Sequence, residues 1–267
     1  MGLANVAYNA SLNWADPRLH RLEEQMEVPM FGLEPVEMGI MGHEEEVLTR
    51  LLGEPRYGAL FELAFPGDSA SINLENVILA IASFERTLIS GSSPYDRYVY
   101  WDDRQSLTDS AMRGMRLFFT EDLACSECHS GFNFSGPVMS AMGTSESVFH
   151  NTALYSLDGS GSYPEDNQGV FEHTGEAKDM GRFRAPTLRN VALTAPYMHD
   201  GSVPTLEAVI EHYAAGGRAA QNPGKSPLLR GFEISAEESG DLVSFLESLT
   251  DRAFLEDPRF ENPWGPP

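Results

Sequence analysis

The run Cys125-Ser126-Glu127-Cys128-His129 sets two thiols and an imidazole together, the arrangement by which c-type haem is attached. The thiols add to the porphyrin vinyl groups, and the histidine that follows lies beneath the iron as its proximal ligand. These are the only two cysteines among the 267 residues. A structural zinc site calls for Cys or His ligands in paired spacings, and no second pair exists. A thioredoxin-like redox pair would sit at a strand-to-helix junction, whereas the flanks here read as helical or irregular. The bland alternative is a chance Cys-x-x-Cys beside an unrelated histidine.

A haem of this kind needs a sixth ligand, and that ligand separates electron transfer from peroxide chemistry. The candidates are Met139, Met142, Met198, His150, His173, His199, His212 and Tyr213. Within Thr205–Tyr213, Leu206, Val209, Ile210 and Tyr213 recur at i, i+3, i+4 and i+7, which predicts an amphipathic helix with Tyr213 on its apolar face. His212 falls about 100° away, toward Glu211 and solvent. On these residues alone Tyr213 reads equally as a core tyrosine with a satisfied hydroxyl.

The elements that must position these groups read as helices almost throughout. Asn73 caps a helix whose apolar positions are Leu74, Val77, Ile78, Ile81 and Leu88, ended by Gly91-Ser92-Ser93-Pro94. Thr108 opens another with Met112, Met115 and Phe118 or Phe119 inward, and it delivers the chain to the Cys-x-x-Cys-His loop. Ser235 and Glu238 form a capping box ahead of Leu242, Val243, Phe245, Leu246 and Leu249. Residues 130–190 are rich in Gly, Ser, Asn and Pro and read as one long ordered loop that covers the haem. The fold class is therefore all-α, a cytochrome c-like haem domain with long wrapping loops.

The composition bounds the partners. Lys and Arg number 18 against 40 Asp and Glu, a net charge of −22, which disfavours nucleic acid and anionic membrane surfaces. No apolar run approaches the ~20 residues of a membrane span. The N-terminus has no basic and apolar signal-peptide regions, although haem c is attached outside the cytoplasm.

Longer motifs carry a resemblance. Phe183-Arg184-Ala185-Pro186-Thr187-Leu188-Arg189-Asn190, Leu193-Thr194-Ala195-Pro196-Tyr197-Met198-His199-Asp200-Gly201 and Thr205-Leu206-Glu207 resemble the bacterial di-haem cytochrome c peroxidase and MauG superfamily. Phe149-His150-Asn151-Thr152, Glu172-His173-Thr174-Gly175 and His212-Tyr213-Ala214-Ala215-Gly216-Gly217 look most like its MbnH-type branch. The resemblance implies that His129 and Tyr213 are the axial pair, Tyr213 matching the axial tyrosine of MauG-like enzymes. Leu22-Glu23-Glu24-Gln25, Pro29 and Pro35-Val36-Glu37-Met38-Gly39 match the stretch lining the distal side of a first, peroxide-reactive haem. Glu37 would be the acid and base there, Gln25 and Pro29 the pocket wall. Trp14 corresponds to the tryptophan between the two haems.

By the same resemblance, residues 1–105 are the remnant of an N-terminal peroxidatic haem domain and 106–267 a C-terminal cytochrome c-like domain. The family's first Cys-x-x-Cys-His is not in this sequence, so Met1 reads as an internal start or a truncation boundary. One covalent haem c is expected here and two in a full-length protein. A Ca²⁺ between the haems would take the backbone carbonyls of Thr194 and Pro196. The implied activity is a periplasmic oxidoreductase that uses H₂O₂ to oxidise a partner protein, in the MbnH-type branch a tryptophan on a copper-binding partner. The alternatives are a cytochrome c peroxidase fed by an electron-donor protein, in which residue 213 would be Met, and a mono-haem electron carrier.

Overall fold

Two units, Arg18–Leu88 and Met1–Pro17 with Ile89–Pro267, make up the chain. The computed structural model describes residues 2–136, 138–140, 143–144 and 148–265, with backbone only at 139–140 and 143–144. Each unit is built on helices whose starts the sequence marks.

The smaller unit holds α1 (Leu22–Phe31), α2 (Glu44–Leu52), α3 (Pro55–Ala64) and α4 (Leu74–Glu85). Asn73 accepts the N–H of Asn76 and so starts α4 as its spacing predicts. Ile78 on α4 is buried against Met26, Met30 and Ile40. The helix stops at Glu85 rather than reaching Leu88; Thr87 and Leu88 instead donate to Phe84 and Glu85 in tighter turns. Pro29 lies inside α1, and the segment after it folds back, with Met38 donating to the Pro29 carbonyl at 2.9 Å and Ile40 to Met30 at 3.0 Å.

The larger unit holds α5 (Pro94–Tyr100), α6 (Asp109–Phe118), α7 (Cys125–Cys128), α8 (Phe171–Thr174), α9 (Leu206–Ala214), α10 (Ala236–Glu247) and α11 (Arg252–Leu255). Its antiparallel strand pairs are β1 (Met139–Ser140) with β2 (Gly143–Thr144) and β3 (Phe149–His150) with β4 (Phe183–Arg184). Thr108 accepts from Ala111 to cap α6, and Ser235 and Glu238 form the expected reciprocal box at α10. These two helices pack so closely that a Cβ on Gly114 would lie 1.9 Å from the Asp241 carbonyl oxygen. Only a glycine fits there. The core gathers Tyr95, Phe118, Phe134, Ile210, Leu242, Phe245 and Leu249. On α6 the fully buried positions are Ala111, Gly114 and Phe118, with Met112 and Met115 at its margin.

Two expectations differ from what is seen. Residues 89–105 and 1–17 pack with the haem-motif unit instead of dividing from it near residue 105. The physical reason is a set of buried polar bonds that tie them in: the Asn5 side chain donates to the Ser90 carbonyl at 2.6 Å and accepts its N–H at 2.8 Å, and Asp96 pairs with Arg189. The 130–190 stretch is also less uniform than one loop, since it contains β1 to β4 and the short α8. Among the described residues no helix is long and apolar enough to cross a membrane.

Candidate haem site

α6 ends at Phe118, and the chain enters α7 through Ala124, whose left-handed backbone (φ 52°) turns it sharply. Cys125, Cys128 and His129 thereby line one cavity. Burial pushes both thiols up to about 11, so they are neutral at physiological pH rather than reactive thiolates. The Nδ1 of His129 lies 2.9 Å from the carbonyl oxygen of Phe134, a residue only 2% exposed. That carbonyl can only accept, so Nδ1 carries the proton and Nε2 keeps the lone pair a metal needs. Burial also holds the imidazole pKa below its ordinary value, which favours the neutral ligand form.

Tyr213 lines the same cavity from α9. Burial first, and then the neighbouring Cys128 and Cys125, raise its phenol pKa well above the usual tyrosine value. A tyrosinate there is stable only with a cation beside it to offset the lost hydration. Phe118, Val191, Leu206, Ile210, Leu242 and Leu246 supply apolar wall between these polar groups. Trp14 forms another part of it, its carbonyl accepting the Arg184 N–H at 2.8 Å.

Of the other axial candidates, Met198, His150 and His199 also line the cavity. His173 is exposed, its Nδ1 3.8 Å from Asp16. Met142 lies outside the described residues, and Met139 is described by its backbone in β1 alone. His212 corrects the helical-wheel expectation: it is 7% exposed, not turned to solvent. Its Nε2–H donates to the Thr152 carbonyl at 2.9 Å, and its Nδ1 accepts the Arg218 N–H at 3.2 Å. Both ring nitrogens are thus used by backbone, and His212 is excluded as an iron ligand.

Gln25, Pro29 and Glu37, expected around a first haem, are not among the residues that line this cavity. Gln25 and Pro29 are half-buried on α1, and Glu37 is exposed on the segment that follows. Thr194 and Pro196 are exposed, after a short 3₁₀ turn at Val191–Leu193. Among the described residues no group of three or more His, Cys, Asp or Glu side chains could hold a metal ion.

Two wall residues were not singled out for what they do here. Arg184 is 6% exposed, donates to the carbonyls of Asn13 (3.2 Å) and Ala185 (3.3 Å), and has its pKa pulled down to about 10 by burial. His199 stacks on Phe183 at 3.7 Å between ring centroids, burial lowers its pKa to about 4, and its Nε2 is buried without a partner. Nothing local in the sequence separates Arg184 from a surface arginine. A buried cation and an orphaned nitrogen at a mostly apolar cavity suit a flat apolar macrocycle with acidic substituents, attached by two thiols. The residues present fit haem c.

Comparison with known proteins gives the same direction. The profile for di-haem cytochrome c peroxidase matches residues 1–104, and that for RoxA-like, cytochrome c-like proteins matches residues 182–214. The methylamine utilization protein MauG of Methylorubrum extorquens is 34% identical over 245 residues, covering 92% of this chain and 62% of that protein. A cytochrome c peroxidase of Denitromonas iodatirespirans is 30% identical, covering 99% of this chain and 72% of that one. The crystal structure of a MauG-like protein associated with microbial copper homeostasis superposes with a TM-score of 0.94 at 40% identity, over 98% of this chain and 78% of the other. The chain spans under two thirds of the MauG proteins it matches, 62% and 65% of their lengths.

Proposed function

This chain belongs to the di-haem cytochrome c peroxidase and MauG family, and from that premise we propose that it acts as a haem c oxidoreductase using H₂O₂ to oxidise a partner protein. Cys125 and Cys128 would hold the haem covalently, and His129 and Tyr213 would bind its iron. Bound there, it supplies one-electron redox chemistry. The chain's own residues set how. Phe134 orients His129 through its carbonyl, Arg184 offsets negative charge at the cavity wall, and the apolar walls exclude water. An anionic phenolate oxygen at Tyr213 favours a more oxidised metal than a thioether does, which suits oxidation of a protein side chain such as tryptophan.

Glu37, with Gln25 and Pro29 as wall, serves a second haem as the group that takes and returns the peroxide proton; this chain's two cysteines attach only one. Trp14 carries electrons between the two. Ca²⁺ on the carbonyls of Thr194 and Pro196 belongs to the same reading, as does a periplasmic location. The −22 charge favours a partner with a basic docking surface, and the copper-homeostasis relative suggests a copper-binding one.

The observation that carries this reading is the placing of His129, Tyr213 and both cysteines on the walls of one cavity. In protein matured with an export system, haemochrome assay and intact mass should give one covalent haem per chain. Tyr213→Phe should convert a low-spin ferric resonance to high-spin. An unchanged spectrum transfers the ligand to Met198, His150 or His199. A mono-haem electron carrier is the second reading, favoured by the two axial candidates within one cavity; it predicts a reversible one-electron couple and no protein oxidation with peroxide.

A further inference from the structure

α5 and the residue that caps its C-terminus carry four oxidisable rings in Pro94-Tyr95-Asp96-Arg97-Tyr98-Val99-Tyr100-Trp101. Tyr95, Tyr98 and Trp101 follow one another at i, i+3 and i+6, a spacing that puts successive side chains on adjoining turns, about 5–6 Å apart at Cβ. Trp101 stays in the last turn because its N–H donates to Arg97 at 3.2 Å. Exposure rises along the row: Tyr95 is 8% exposed, Tyr98 half-buried and Trp101 60% exposed.

The buried end of the row meets the haem site. The Tyr95 ring lies 5.1 Å from that of Phe134 at 70°, and Phe134 is the residue whose carbonyl bonds His129. Phe118, a cavity wall residue, is 6.0 Å from the same Phe134 ring. α5 is also held rigidly, by the Ser93–Asp96 capping box and the buried Asp96–Arg189 pair.

We propose that Tyr95, Tyr98 and Trp101 form an electron path between the His129 side of the haem cavity and the protein surface. The proposal rests on the haem reading above. One electron leaves a donor at the surface, the Trp101 indole or a reduced group of a docked partner, and passes along the phenols. It arrives at the iron, which is reduced by one, while the oxidised indole releases its N–H proton to solvent. H₂O₂, taken at the second haem of the reading above, is the oxidant: it accepts two electrons and two protons to leave two waters, so two one-electron transfers along the path restore the resting state. Tyr and Trp can be oxidised transiently and so divide one long transfer into short ones; the Phe134 ring and the His129 hydrogen bond bridge the last gap.

The test uses the haem-loaded chain with Trp101→Cys labelled by a ruthenium photosensitiser, the native thiols being taken up by haem. With the haem ferrous and a cobalt(III) ammine complex in solution as irreversible electron acceptor, a flash leaves the label oxidised, and the ferrous iron then reduces it and becomes ferric. Tyr98→Phe and Tyr95→Phe keep the rings but remove the phenols, and each should slow haem oxidation by at least about tenfold. A label at Trp264→Cys, on an exposed tryptophan off the row, should give a rate that Tyr98→Phe leaves alone. Rates from position 101 unchanged in both phenylalanine variants overturn the path. The measurement needs no peroxide, so failure of peroxide chemistry sinks the proposed function and leaves the path standing.

Discussion

Arg189 and Asp96, 93 residues apart in sequence, meet in a bidentate pair at 2.8 and 2.9 Å with both side chains out of water. The Arg189 guanidinium also lies 4.2 Å from the centre of the Phe132 ring, and its Nε–H donates to the Phe132 carbonyl. The pair joins α5 to the segment just after the Cys-x-x-Cys-His turn. It therefore fixes one side of the haem site.

Removing one partner of such a pair leaves an uncompensated charge in the interior. Arg189→Met should cost about 3–5 kcal/mol. The pair of Arg113 and Asp241 offers a contrast: Asp241 is buried and keeps the Ser110 hydroxyl as a donor, but Arg113 leaves 48% of its side chain in solvent, so Arg113→Ala should cost less than Arg189→Met. Urea midpoints of the two variants check the difference, and equal losses would contradict it.

The α6–α10 contact gives a second expectation. Gly114→Ala must move one helix or the other, because the new methyl would sit 1.9 Å from the Asp241 oxygen. The cost should be about 1–3 kcal/mol or more, with core packing at Phe118 and Phe245 disturbed. Melting of the variant at the wild-type temperature would show the close approach to be unimportant.

The parts of the fold that were legible in the sequence are those set by neighbours along the chain. Asn73, Thr108 and Ser235 with Glu238 act within one helical turn, so their types and spacing sufficed to place helix starts. The Cys-x-x-Cys-His turn is equally local. What could not be read depends on distant partners: His212 is buried because Thr152 lies 60 residues away, and residues 89–105 join the larger unit through Asn5 and Arg189. Arg184 looks polar in sequence, and only the fold puts it in a cavity wall.

Asp251 makes a pH prediction. It is 1% exposed and accepts from the N–H groups of Gly91, Ser92 and Phe254 and the hydroxyls of Ser92 and Ser90. Burial alone would raise its pKa, but these donors outweigh it and hold the carboxyl below its ordinary value. The unfolded chain then binds more protons than the native one as pH falls past the unfolded carboxylate value of about 3.9. The stabilisation from Asp251 is complete above that pH and is lost as pH drops through the folded pKa. Asp251→Asn should lower stability at pH 7 and flatten its decline below about pH 4. Urea midpoints from pH 3 to 7 with the same slope in both proteins would refute the assignment.

His212 and Tyr213 adjoin on α9 yet have separate roles, and the last prediction separates them. The imidazole joins the end of α9 to Thr152 and Arg218, while the neighbouring phenol lines the haem cavity. His212→Ala strands a buried carbonyl and a backbone N–H, which should cost about 1–3 kcal/mol. Because no nitrogen of His212 is free for iron, the ferric resonance of the haem-loaded variant should keep its low-spin form. Tyr213→Phe should do the reverse, changing the spin state with a smaller loss of stability. A high-spin signal in His212→Ala, with haem content unchanged, would mean that the last turn of α9 needs His212 to hold Tyr213 in place.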